Sequence, residues 1–276
     1  MIVIVDALNR HKFGPLLDEM FKLRTRVFHD RLGWDVKITA GKEIDHFDDL
    51  HPAYLIALDD LGDVVGCMRV LQTTGPHMLS DVFYDILDGE PPLRSAQLWE
   101  VTRFCVDTDK LKSGKCRNSI SYVTSELFAA ATEYAKNSGI LDAIAVIDPV
   151  MNRVLIRSGN APYDYVGSTK QMGKVKAMAA LLDCTDERIA SIRDFAGLTG
   201  DVFAPDDAAA LALFNSRPAA QEEIMPEVPA PTLNDLRNYL DQQINMAATK
   251  EERSAAYALK LELAEMLRGD RPRLDA

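Results

Sequence analysis

Apolar runs bounded by polar and turn-forming residues predict the strands of this chain. These runs are residues 1–5, 53–58, 64–71, 98–106, 140–147 and 163–167. The turn sequence Asp59-Asp60-Leu61-Gly62-Asp63 separates the second run from the third, so those two runs are predicted to form a hairpin. The first run is followed at once by Asp6 and is predicted to be an edge or opening strand.

Apolar residues that recur every three or four positions predict helices between these strands. A first helix is predicted over residues 13–31, and a long amphipathic helix over residues 117–137, which ends at the stop signal Ser138-Gly139. A further helix is predicted to begin at Asp148-Pro149, because aspartate is a good N-cap and proline fits the first turn. Strands that form a hairpin and then alternate with helices predict an α/β domain with a mixed sheet flanked by helices.

The composition of the chain changes after residue 204. Residues 205–230 are rich in proline and alanine, which is typical of a linker. Residues 231–276 contain many good helix formers at helical spacing, interrupted near residues 247–250. We therefore predict a domain over residues 1–204, a linker, and a helical C-terminal extension that packs on the domain or on a second subunit of a homodimer.

The overall composition is that of a soluble globular protein. The chain has 276 residues, of which 47% are hydrophobic and 26% charged. No apolar run approaches the roughly 20 residues of a membrane span, and the short apolar start lacks the basic leader of a signal peptide. The net charge of −11 argues against nucleic-acid binding through a broad basic face. We therefore expect a cytoplasmic protein with neither a membrane span nor a nucleic-acid partner.

Cysteine and histidine residues give no sign of a metal site. Cys67, Cys105, Cys116 and Cys184 have no Cys-x-x-Cys spacing, which favours reduced thiols. The five histidines also lack the spacing of metal ligands. No metal is expected.

Arginine, carboxylate and aromatic residues recur beside apolar strand positions in the first half of the chain. They are Arg24, Phe28, Trp34, Glu43, Asp45, Asp48, Arg69, Phe83, Trp99, Glu100, Arg103 and Phe104. Burying so many charges is costly unless each of them finds a partner or a ligand. The pattern therefore predicts a site that binds a charged small molecule.

In order and spacing, this pattern resembles the acyl-homoserine lactone synthases, the LuxI-type autoinducer synthases of bacterial quorum sensing. The resemblance extends over about residues 24–167. Its motifs are Arg24-x-x-x-Phe28, Trp34, Glu43-x-Asp45-x-x-Asp48, Arg69 and Glu100-Val101-Thr102-Arg103-Phe104. Thr102 takes the place of the family's usual serine and keeps a hydroxyl group, whereas the long C-terminal extension departs from the family.

The resemblance implies a GNAT-like acyltransferase fold, in which two central strands separate and an acyl-phosphopantetheine arm enters between them. Here those strands would be residues 98–106 and 140–147. The implied reaction begins when the amino group of S-adenosylmethionine attacks an acyl thioester. The methionine carboxylate then displaces methylthioadenosine and closes the lactone. S-adenosylmethionine is thus a substrate, no cofactor is needed, and the acyl donor is either acyl carrier protein or acyl-CoA.

Glu100, Arg103 and Asp45 are the catalytic candidates that the resemblance implies. Amide formation needs a neutral amine, and Glu100 is the first choice for the general base that removes its proton. Strand alternation places Glu100 on the same face as Thr102 and Arg103 on the other face, unless the strand is bulged. The alternative interpretation of Glu100 and Arg103 is an ion pair within the sheet.

Two further groups of residues would bind the substrates. S-adenosylmethionine would contact Arg24, Phe28, Trp34, Asp45, Asp48 and Arg103, because carboxylates and aromatic faces suit cations and arginines suit carboxylates. The acyl and phosphopantetheine side would be formed by Arg69, Phe83, Phe104, Ile144 and Val146. Other apolar candidates for the acyl pocket are Met68, Leu98, Val123, Leu127 and Leu155. The alternatives are an acidic loop surface for the two aspartates and a plain core contact for Phe28.

Two basic groups would suit docking of an acidic carrier or of a phosphate-bearing thioester, and a solvated surface is the alternative. They are Lys110, Lys112, Lys115 and Arg117, and Arg153, Arg157, Lys170, Lys174 and Lys176. Residues 144–148 include no threonine, which many family members with 3-oxo chains carry there, so an unsubstituted or other non-oxo acyl chain is favoured. The chain length and the type of donor stay open.

Two other functions fit parts of the same pattern. A GNAT-type N-acyltransferase for another amine would use the same cleft but would not need Trp34, Asp45 and Asp48 together. A catalytically inactive relative would instead bind a partner through its helical extension. Release of methylthioadenosine would separate the first alternative from the synthase.

Overall fold

A computed structural model describes residues 1–111, 119–173 and 175–217, together with Tyr257. Its strands are β1 (Ile2–Val5), β2 (Ile38–Thr39), β3 (Lys42–Glu43), β4 (Ala53–Leu58), β5 (Val64–Gln72), β6 (Leu98–Val106), β7 (Asp142–Ile147), β8 (Asp164–Met172) and β9 (Val175–Asp183). Its α-helices are α1 (Gly14–Arg24), α2 (Met78–Asp81), α3 (Ile120–Asn137), α4 (Pro149–Arg157), α5 (Asp186–Ala196) and α6 (Asp207–Asn215). A π-helix spans Thr25–Arg31, and 3₁₀ turns span Arg10–Lys12, His46–Leu50 and Tyr84–Leu87.

The chain divides into two units, Met1–Gln221 and Glu222–Ala276. Apart from Tyr257, the predicted helical extension lies outside the described residues, and it stays a prediction. The same holds for four of the basic residues named above, Lys112, Lys115, Arg117 and Lys174. Within the described ranges, no helix is both long enough and apolar enough to cross a membrane.

The first unit is built on a seven-stranded sheet with the order β1-β4-β5-β6-β7-β9-β8. β6 and β7 are parallel, and the other neighbouring strands are antiparallel. β2 and β3 form a separate two-stranded sheet. The predicted hairpin is the β4–β5 pair, and the prediction of a mixed sheet flanked by helices is confirmed.

β6 and β7 pair only at their beginnings. The last residues in register are Glu100 of β6 and Ile144 of β7. β6 continues to Val106 and β7 to Ile147, but these later residues do not pair with one another. A cleft therefore opens between the two strands beyond Glu100, as predicted.

A β-bulge in β6 changes the face of the sheet on which Arg103 lies. The register between β5 and β6 shifts between Cys67 and Arg69, so that one residue of β5 stands opposite two residues of β6. Arg103 has φ = 52°, in the left-handed region that is strained for a residue with a side chain. Strict alternation would place the Arg103 side chain on the face of the sheet opposite to that of Glu100. The bulge instead brings Arg103 to the same face as Thr102 and Glu100.

Helices cover both faces of the sheet. On one face, Leu127 of α3 and Ile192 of α5 pack with strand residues in one apolar cluster. On the other face, α1 and α6 pack over β1, β4 and β5 through residues such as Met20 and Phe214. The apolar area that is removed from water on both faces stabilises the sheet by roughly 25 cal/mol per Å².

The first predicted helix consists of two kinds of helix. α1 ends at Arg24, and the π-helix Thr25–Arg31 that follows contains the buried Phe28. The hydroxyl group of Thr25 lies within hydrogen-bond distance of two backbone carbonyls, and such competition with the backbone distorts helices. π-Helical turns are rare and occur frequently at functional sites.

The predicted start of the α4 helix and the predicted end of the long helix are confirmed, whereas the long helix begins at Ile120, after the N-cap Ser119, and not at residue 117. Asp148 caps α4 by accepting a hydrogen bond from the Met151 N–H group, and Pro149 occupies the first turn. α3 ends at Asn137, and Gly139 then adopts a positive φ of 78°. Both signals therefore act as the sequence indicates.

β9, α5 and the second half of β8 were not predicted. β9 is rich in alanine and methionine, which favour helices, yet it pairs between β7 and β8. β8 extends beyond Gly167 to Met172, and its residues are exposed or half-buried, so no apolar alternation marks it. α5 has Ile189, Ile192 and Ala196 at helical spacing, but Ile192 is the one residue of the helix that is buried, so its apolar stripe is short and weak.

The predicted end of the domain at residue 204 lies too early. Asp207–Asn215 form α6 within the segment that was predicted as linker, and its residues Ala210 and Phe214 are buried. The chain of α6 lies so close to Gly62 that a Cβ atom there would be 2.1 Å from the Leu213 carbonyl oxygen. α6 is rich in alanine, as the linker is, so composition alone could not separate the two.

Phe214→Ala should reduce the free energy of unfolding by about 3 kcal/mol, because it leaves a cavity between α6 and the sheet. Asn215→Ala, an exposed change in the same helix, should shift it by no more than about 0.5 kcal/mol. Urea denaturation followed by circular dichroism measures both. Equal stability of the two variants would contradict the assignment of α6 to the domain.

Candidate active site

Charged side chains from α1, the β2–β4 region, β5 and β6 meet on the cleft face of the sheet. The network contains three arginines and three carboxylates, Arg24, Arg69, Arg103, Glu43, Asp45 and Asp48. Its formal charges cancel, so the low-dielectric interior holds no net charge there. The fold thus brings together all of the charged residues that the sequence pattern identifies, apart from Glu100.

Arg24 and Asp48 form the buried end of this network. The guanidinium group of Arg24 donates to both oxygens of Asp48, at 2.9 and 3.0 Å, and its Nε donates to Glu43. The Tyr54 hydroxyl group donates to the same Asp48 carboxylate at 2.8 Å. Two parallel hydrogen bonds between ionised groups are strong and fix the geometry of both partners.

The electrostatic surroundings keep these buried groups ionised. Burial disfavours the charged form of Asp48, but hydrogen bonds from Arg24 and the positive charges of Arg24 and Arg69 outweigh it. The pKa of Asp48 is therefore held well below its usual range. Burial likewise opposes the charge of Arg24, yet Asp48 and Glu43 raise the pKa of Arg24 above its usual value.

Arg69 links the buried end of the network to its open end. Its guanidinium group contacts both oxygens of Asp45, at 2.5 and 3.1 Å, and donates to Asp48 at 2.9 Å. Its Nε donates to the hydroxyl group of Thr102 at 3.0 Å, and its other terminal nitrogen lies 3.3 Å from the sulfur of Met78. Arg69 is completely buried and hence is a support for the carboxylates.

Asp45 and Arg103 form the open end of the network. Arg103 donates to Asp45 at 2.7 Å and to Glu43 at 3.1 Å. The side chains of Arg103 and Asp45 are 12% and 15% exposed, whereas those of Arg24 and Asp48 are 1% exposed. The open end therefore offers one cation and one anion side by side, which suits the carboxylate and ammonium groups of an amino acid.

An aromatic pair continues the site from Arg103 toward solvent. The rings of Phe28 and Trp34 stack with centroids 5.1 Å apart and planes 14° apart. The Arg103 guanidinium carbon lies 5.7 Å from the centre of the Phe28 ring. Phe28 is buried, and Trp34 is 42% exposed, so Trp34 presents an aromatic face to a ligand.

Glu100 lies at the point where β6 and β7 separate, and it is completely buried. Its two oxygens accept hydrogen bonds from the backbone N–H groups of Met78 and Leu79, at 2.7 and 2.6 Å. Burial raises the pKa of Glu100 to about 7, although these two hydrogen bonds and Arg69 favour its charged form. A carboxylate with such a pKa can take up a proton near neutral pH.

Arg103 pairs with Glu43 and Asp45, and the alternative ion pair between Glu100 and Arg103 does not occur among the described contacts. The two residues share a face of the sheet because of the bulge, as described above. Both contact Met78, Glu100 through the Met78 backbone N–H group and Arg103 through the Met78 sulfur. Met78 therefore connects the candidate base to the open end of the network.

An apolar cluster lies where the cleft opens, and we call it the acyl cluster. It contains Leu79, Phe83, Ile86, Leu87, Leu98, Ile144, Val146, Ala177 and Ala179, among others. Three of the predicted acyl-side residues, Phe83, Ile144 and Val146, thus lie together in this cluster. The cluster also contains Leu79, whose backbone N–H group donates to Glu100.

Leu98, another predicted pocket residue, also lies in the acyl cluster, whereas Phe104 and four further candidates lie elsewhere. Phe104 lies on the opposite face of the sheet, where its ring packs 5.1 Å from that of Phe128 in α3. Strict alternation would place Phe104 on the Glu100 face, but the bulge reverses the alternation after Thr102. Four other predicted pocket residues share the face of Phe104, namely Met68, Val123, Leu127 and Leu155.

Three residues that are predicted to contact a substrate are buried and paired within the protein. Arg24 and Asp48 were predicted to touch S-adenosylmethionine, but both are buried and bind each other. Arg69 was predicted on the phosphopantetheine side, but it is buried behind Asp45. Residue types alone cannot distinguish a charge that binds a ligand from a charge that supports one.

The sequence pattern missed two members of the site. Tyr54 stands opposite Arg69 in the β4–β5 register, so a register built from the predicted hairpin would have found it. Met78 lies in the connection between β5 and β6 and has no sequence signal, because its role depends on its sulfur and backbone N–H group. In the part of the chain that the structure describes, no group of side chains has the make-up of a metal site.

Comparison with known proteins identifies the family. A family model described as autoinducer synthase matches residues 9–192. An acyl-homoserine-lactone synthase of Agrobacterium fabrum is 35% identical over 181 residues, which are 66% of this chain and 85% of that protein. The match covers all of the motif residues, so the chain belongs to the autoinducer synthase family.

Solved structures agree with this result. The CoA-dependent acyl-homoserine lactone synthase MesI superimposes with a TM-score of 0.64 at 28% identity, covering 75% of this chain and all of that one. The CoA-dependent synthase BjaI, solved with SAM and isopentyl-CoA, gives 0.66 at 26% identity, covering 77% and 98%. The predicted GNAT-like acyltransferase fold, a mixed sheet with a separated strand pair, is confirmed.

Asp48→Asn should lower the free energy of unfolding by about 3–5 kcal/mol, because it leaves the buried Arg24 and Arg69 without their shared anion. Asp45→Asn removes the same charge from the open end of the network and should cost less, about 1–2 kcal/mol, because Arg69 keeps Asp48 and Arg103 keeps Glu43. Urea denaturation at pH 7 measures both variants. Equal losses would show that burial does not divide the network into a supporting end and an open end.

Proposed function

We propose that this protein is an acyl-homoserine lactone synthase that joins the amino group of S-adenosylmethionine to an acyl chain from a thioester and then closes the lactone. The observation that carries the proposal is the open pair of Asp45 and Arg103 beside the Phe28–Trp34 stack and the β6–β7 cleft. Membership of the autoinducer synthase family supports it.

S-adenosylmethionine fits the charges and the aromatic surface of the open end. Arg103 suits its carboxylate, and Asp45 suits its ammonium group. Trp34 offers a ring face for the sulfonium group or the adenine. The mutual contact of Asp45 and Arg103 would then be replaced by contacts with a ligand that carries both charges. The buried partners Glu43, Arg24, Asp48 and Arg69 hold the pair in place.

Glu100 would act in the first step as the general base. The amine nitrogen attacks the thioester carbon, the C–S bond breaks, and the sulfur leaves as the thiol after protonation. Glu100 would take the proton that the amine loses as the C–N bond forms and would return it to the departing thiolate, so that the step is balanced. In the second step, a carboxylate oxygen attacks the γ-carbon, and the bond from that carbon to sulfur breaks, which releases methylthioadenosine. This step uses no acid or base because the leaving group is a neutral thioether.

The acyl chain would enter the acyl cluster through the cleft between β6 and β7. The CoA dependence of MesI and BjaI makes acyl-CoA the first donor to test. Of the second basic group, Arg153, Arg157 and Lys176 are exposed, whereas Lys170 pairs with Asp88. The exposed cations suit the phosphates of CoA and also the acidic surface of a carrier protein. S-adenosylmethionine and acyl thioesters are cytoplasmic metabolites, which supports a cytoplasmic location.

Purified protein given S-adenosylmethionine and a panel of acyl-CoA and acyl-carrier thioesters should release methylthioadenosine and an acyl-homoserine lactone in equal amounts. Mass spectrometry of the organic extract identifies the acyl chain and the donor. An amide formed without methylthioadenosine would instead establish an N-acyltransferase for another amine. No product from any thioester would favour the inactive relative.

If Glu100 is the base, kcat/KM should rise with pH through a pKa of about 7 and then level off, because the carboxylate must be ionised to accept the proton. Glu100→Gln should lower kcat by about 100-fold or more and abolish that rise. Glu133→Gln changes a carboxylate of α3 that pairs with Arg193, away from the cleft, and serves as the control.

The amine of the substrate also titrates, so the shape of the profile decides the assignment. If Glu100→Gln retains the same rise with pH, the rise belongs to the amine and Glu100 is not the base. Because the glutamine amide meets the N–H groups of Met78 and Leu79, binding of S-adenosylmethionine and thermal unfolding are measured alongside. If the variant neither binds S-adenosylmethionine nor shows a cooperative thermal unfolding transition, Glu100 has a structural role instead.

A further inference from the structure

One wall of the acyl cluster comes from the connection between β5 and β6. We call residues 78–88 the wall segment, which includes α2 and the 3₁₀ turn Tyr84–Leu87. Four of its residues belong to the acyl cluster, Leu79, Phe83, Ile86 and Leu87, and they pack against Leu98, Ile144, Ala177 and Ala179 of the sheet. An acyl chain that enters the cluster must lie between this wall and the sheet.

The first end of the wall segment is fixed by the candidate base. The Glu100 carboxylate accepts the N–H groups of Met78 and Leu79. This contact ties the wall to β6 at the point where the cleft opens. The contact with Glu100 does not fix the distance between the wall segment and strands β8 and β9. That distance depends on the other end of the segment, near Ile86 and Asp88.

The second end of the wall segment rests on a glycine of β8. Gly167 has φ = 64°, and it lies where the β8–β9 register shifts between Val166 and Lys170. A Cβ atom at Gly167 would lie 1.8 Å from the Ile86 carbonyl oxygen and 3.1 Å from the Leu87 Cα atom. Because both of these are backbone atoms, the approach is open to glycine alone.

An ion pair holds the same end in place. The Asp88 carboxylate accepts a hydrogen bond from the Ser168 hydroxyl group at 2.8 Å, and it pairs with Lys170. Asp88 is the last residue of the wall segment, and with φ = 55° it caps the end of the 3₁₀ turn Tyr84–Leu87. Ser168 lies within the register shift and Lys170 ends it, so the irregular part of β8 presents both partners of Asp88.

We infer that the contact between Gly167 and Ile86 sets the distance from the wall segment to the sheet and thereby limits the length of the acyl chain that the enzyme accepts. The inference deepens the proposed function and rests on it for the identity of the ligand. Gly167 and Asp88 are positioning residues, since they act through Ile86, Leu87 and Phe83.

The sheet side of the cluster agrees with this assignment. Ala177 and Ala179 of β9 are small and lie on the face that the wall covers. Their short side chains leave the separation between wall and strand to the contact at Gly167. A larger separation would admit more methylene groups, and each one that is buried adds about three- to fourfold in affinity.

Gly167→Ala tests the inference, and Gly173→Ala is its matched control. Both glycines belong to the β8–β9 hairpin and have φ near 60°, at 64° and 58°. A Cβ atom at Gly173 meets nothing within 4 Å, whereas one at Gly167 meets the wall. The two variants therefore share the backbone strain and differ in the contact.

Binding of S-alkyl-CoA thioethers from butyl to dodecyl, measured by calorimetry, gives a chain-length profile without any turnover. In Gly167→Ala, affinity for the first chain length that the wild type rejects should improve about 10-fold relative to the last length that it accepts. S-adenosylmethionine affinity should stay within about twofold, because its site lies at the other end of the wall. Gly173→Ala should keep the wild-type profile.

Hydrogen exchange supplies a readout that is independent of any ligand. Amides of residues 78–88 should exchange faster in Gly167→Ala than in Gly173→Ala, since the wall is displaced. Asp88→Asn removes the charge that pairs with Lys170 and keeps a residue that tolerates positive φ. It should change the profile in the same direction to a smaller extent, and it is available if Gly167→Ala does not fold.

Identical profiles for Gly167→Ala, Gly173→Ala and the wild type would overturn the inference. So would a changed profile in Gly173→Ala, because strain alone would then explain the effect. Failure of the proposed function has a different signature, which is no methylthioadenosine from the wild type with any thioester. In that case the exchange rates still decide whether Gly167 holds the wall segment in place, because they need no ligand.

Discussion

The ion-pair network of three guanidinium groups and three carboxylates is the constraint on which the candidate site depends. Isolated charges would not be stable at the depth of Arg24, Glu43 and Asp48, where the interior disfavours each of them strongly. Their mutual pairing ties α1, the loop before β4, β5 and β6 into one unit. The same pairing holds Asp45 and Arg103 at the open end, where a ligand can reach them.

Two departures from regular strand geometry convert this network into a site. The bulge in β6 and the positive φ of Arg103 bring its guanidinium group to the face that carries Glu100. The separation of β6 from β7 after Glu100 opens a cleft at the same place. Each departure gives up ladder hydrogen bonds or adds backbone strain, and the surrounding pairs must over-determine the conformation for it to persist. Strain next to a perturbed carboxylate is typical of functional sites.

The motif residues and the main strands follow from the sequence, because apolar runs and ordered spacing are local signals. Three features are not local and were missed or misplaced. The bulge depends on register with β5, so Phe104 was expected on the wrong face and Arg103 on the right face only if the strand is bulged. The alanines and methionine of β9 favour a helix until β7 and β8 pair with them. Burial, which separates the supporting Asp48 from the open Asp45, is set by tertiary packing alone.

The central claim is that the open pair binds S-adenosylmethionine while the buried pairs support it. Calorimetric titration of S-adenosylmethionine into the wild type and into Asp45→Asn, both shown to be folded, tests it most directly. The account predicts about 10- to 100-fold weaker binding by Asp45→Asn, the loss expected when a charged hydrogen-bond acceptor is removed. Unchanged affinity in the folded variant would contradict the account and move the substrate away from the network.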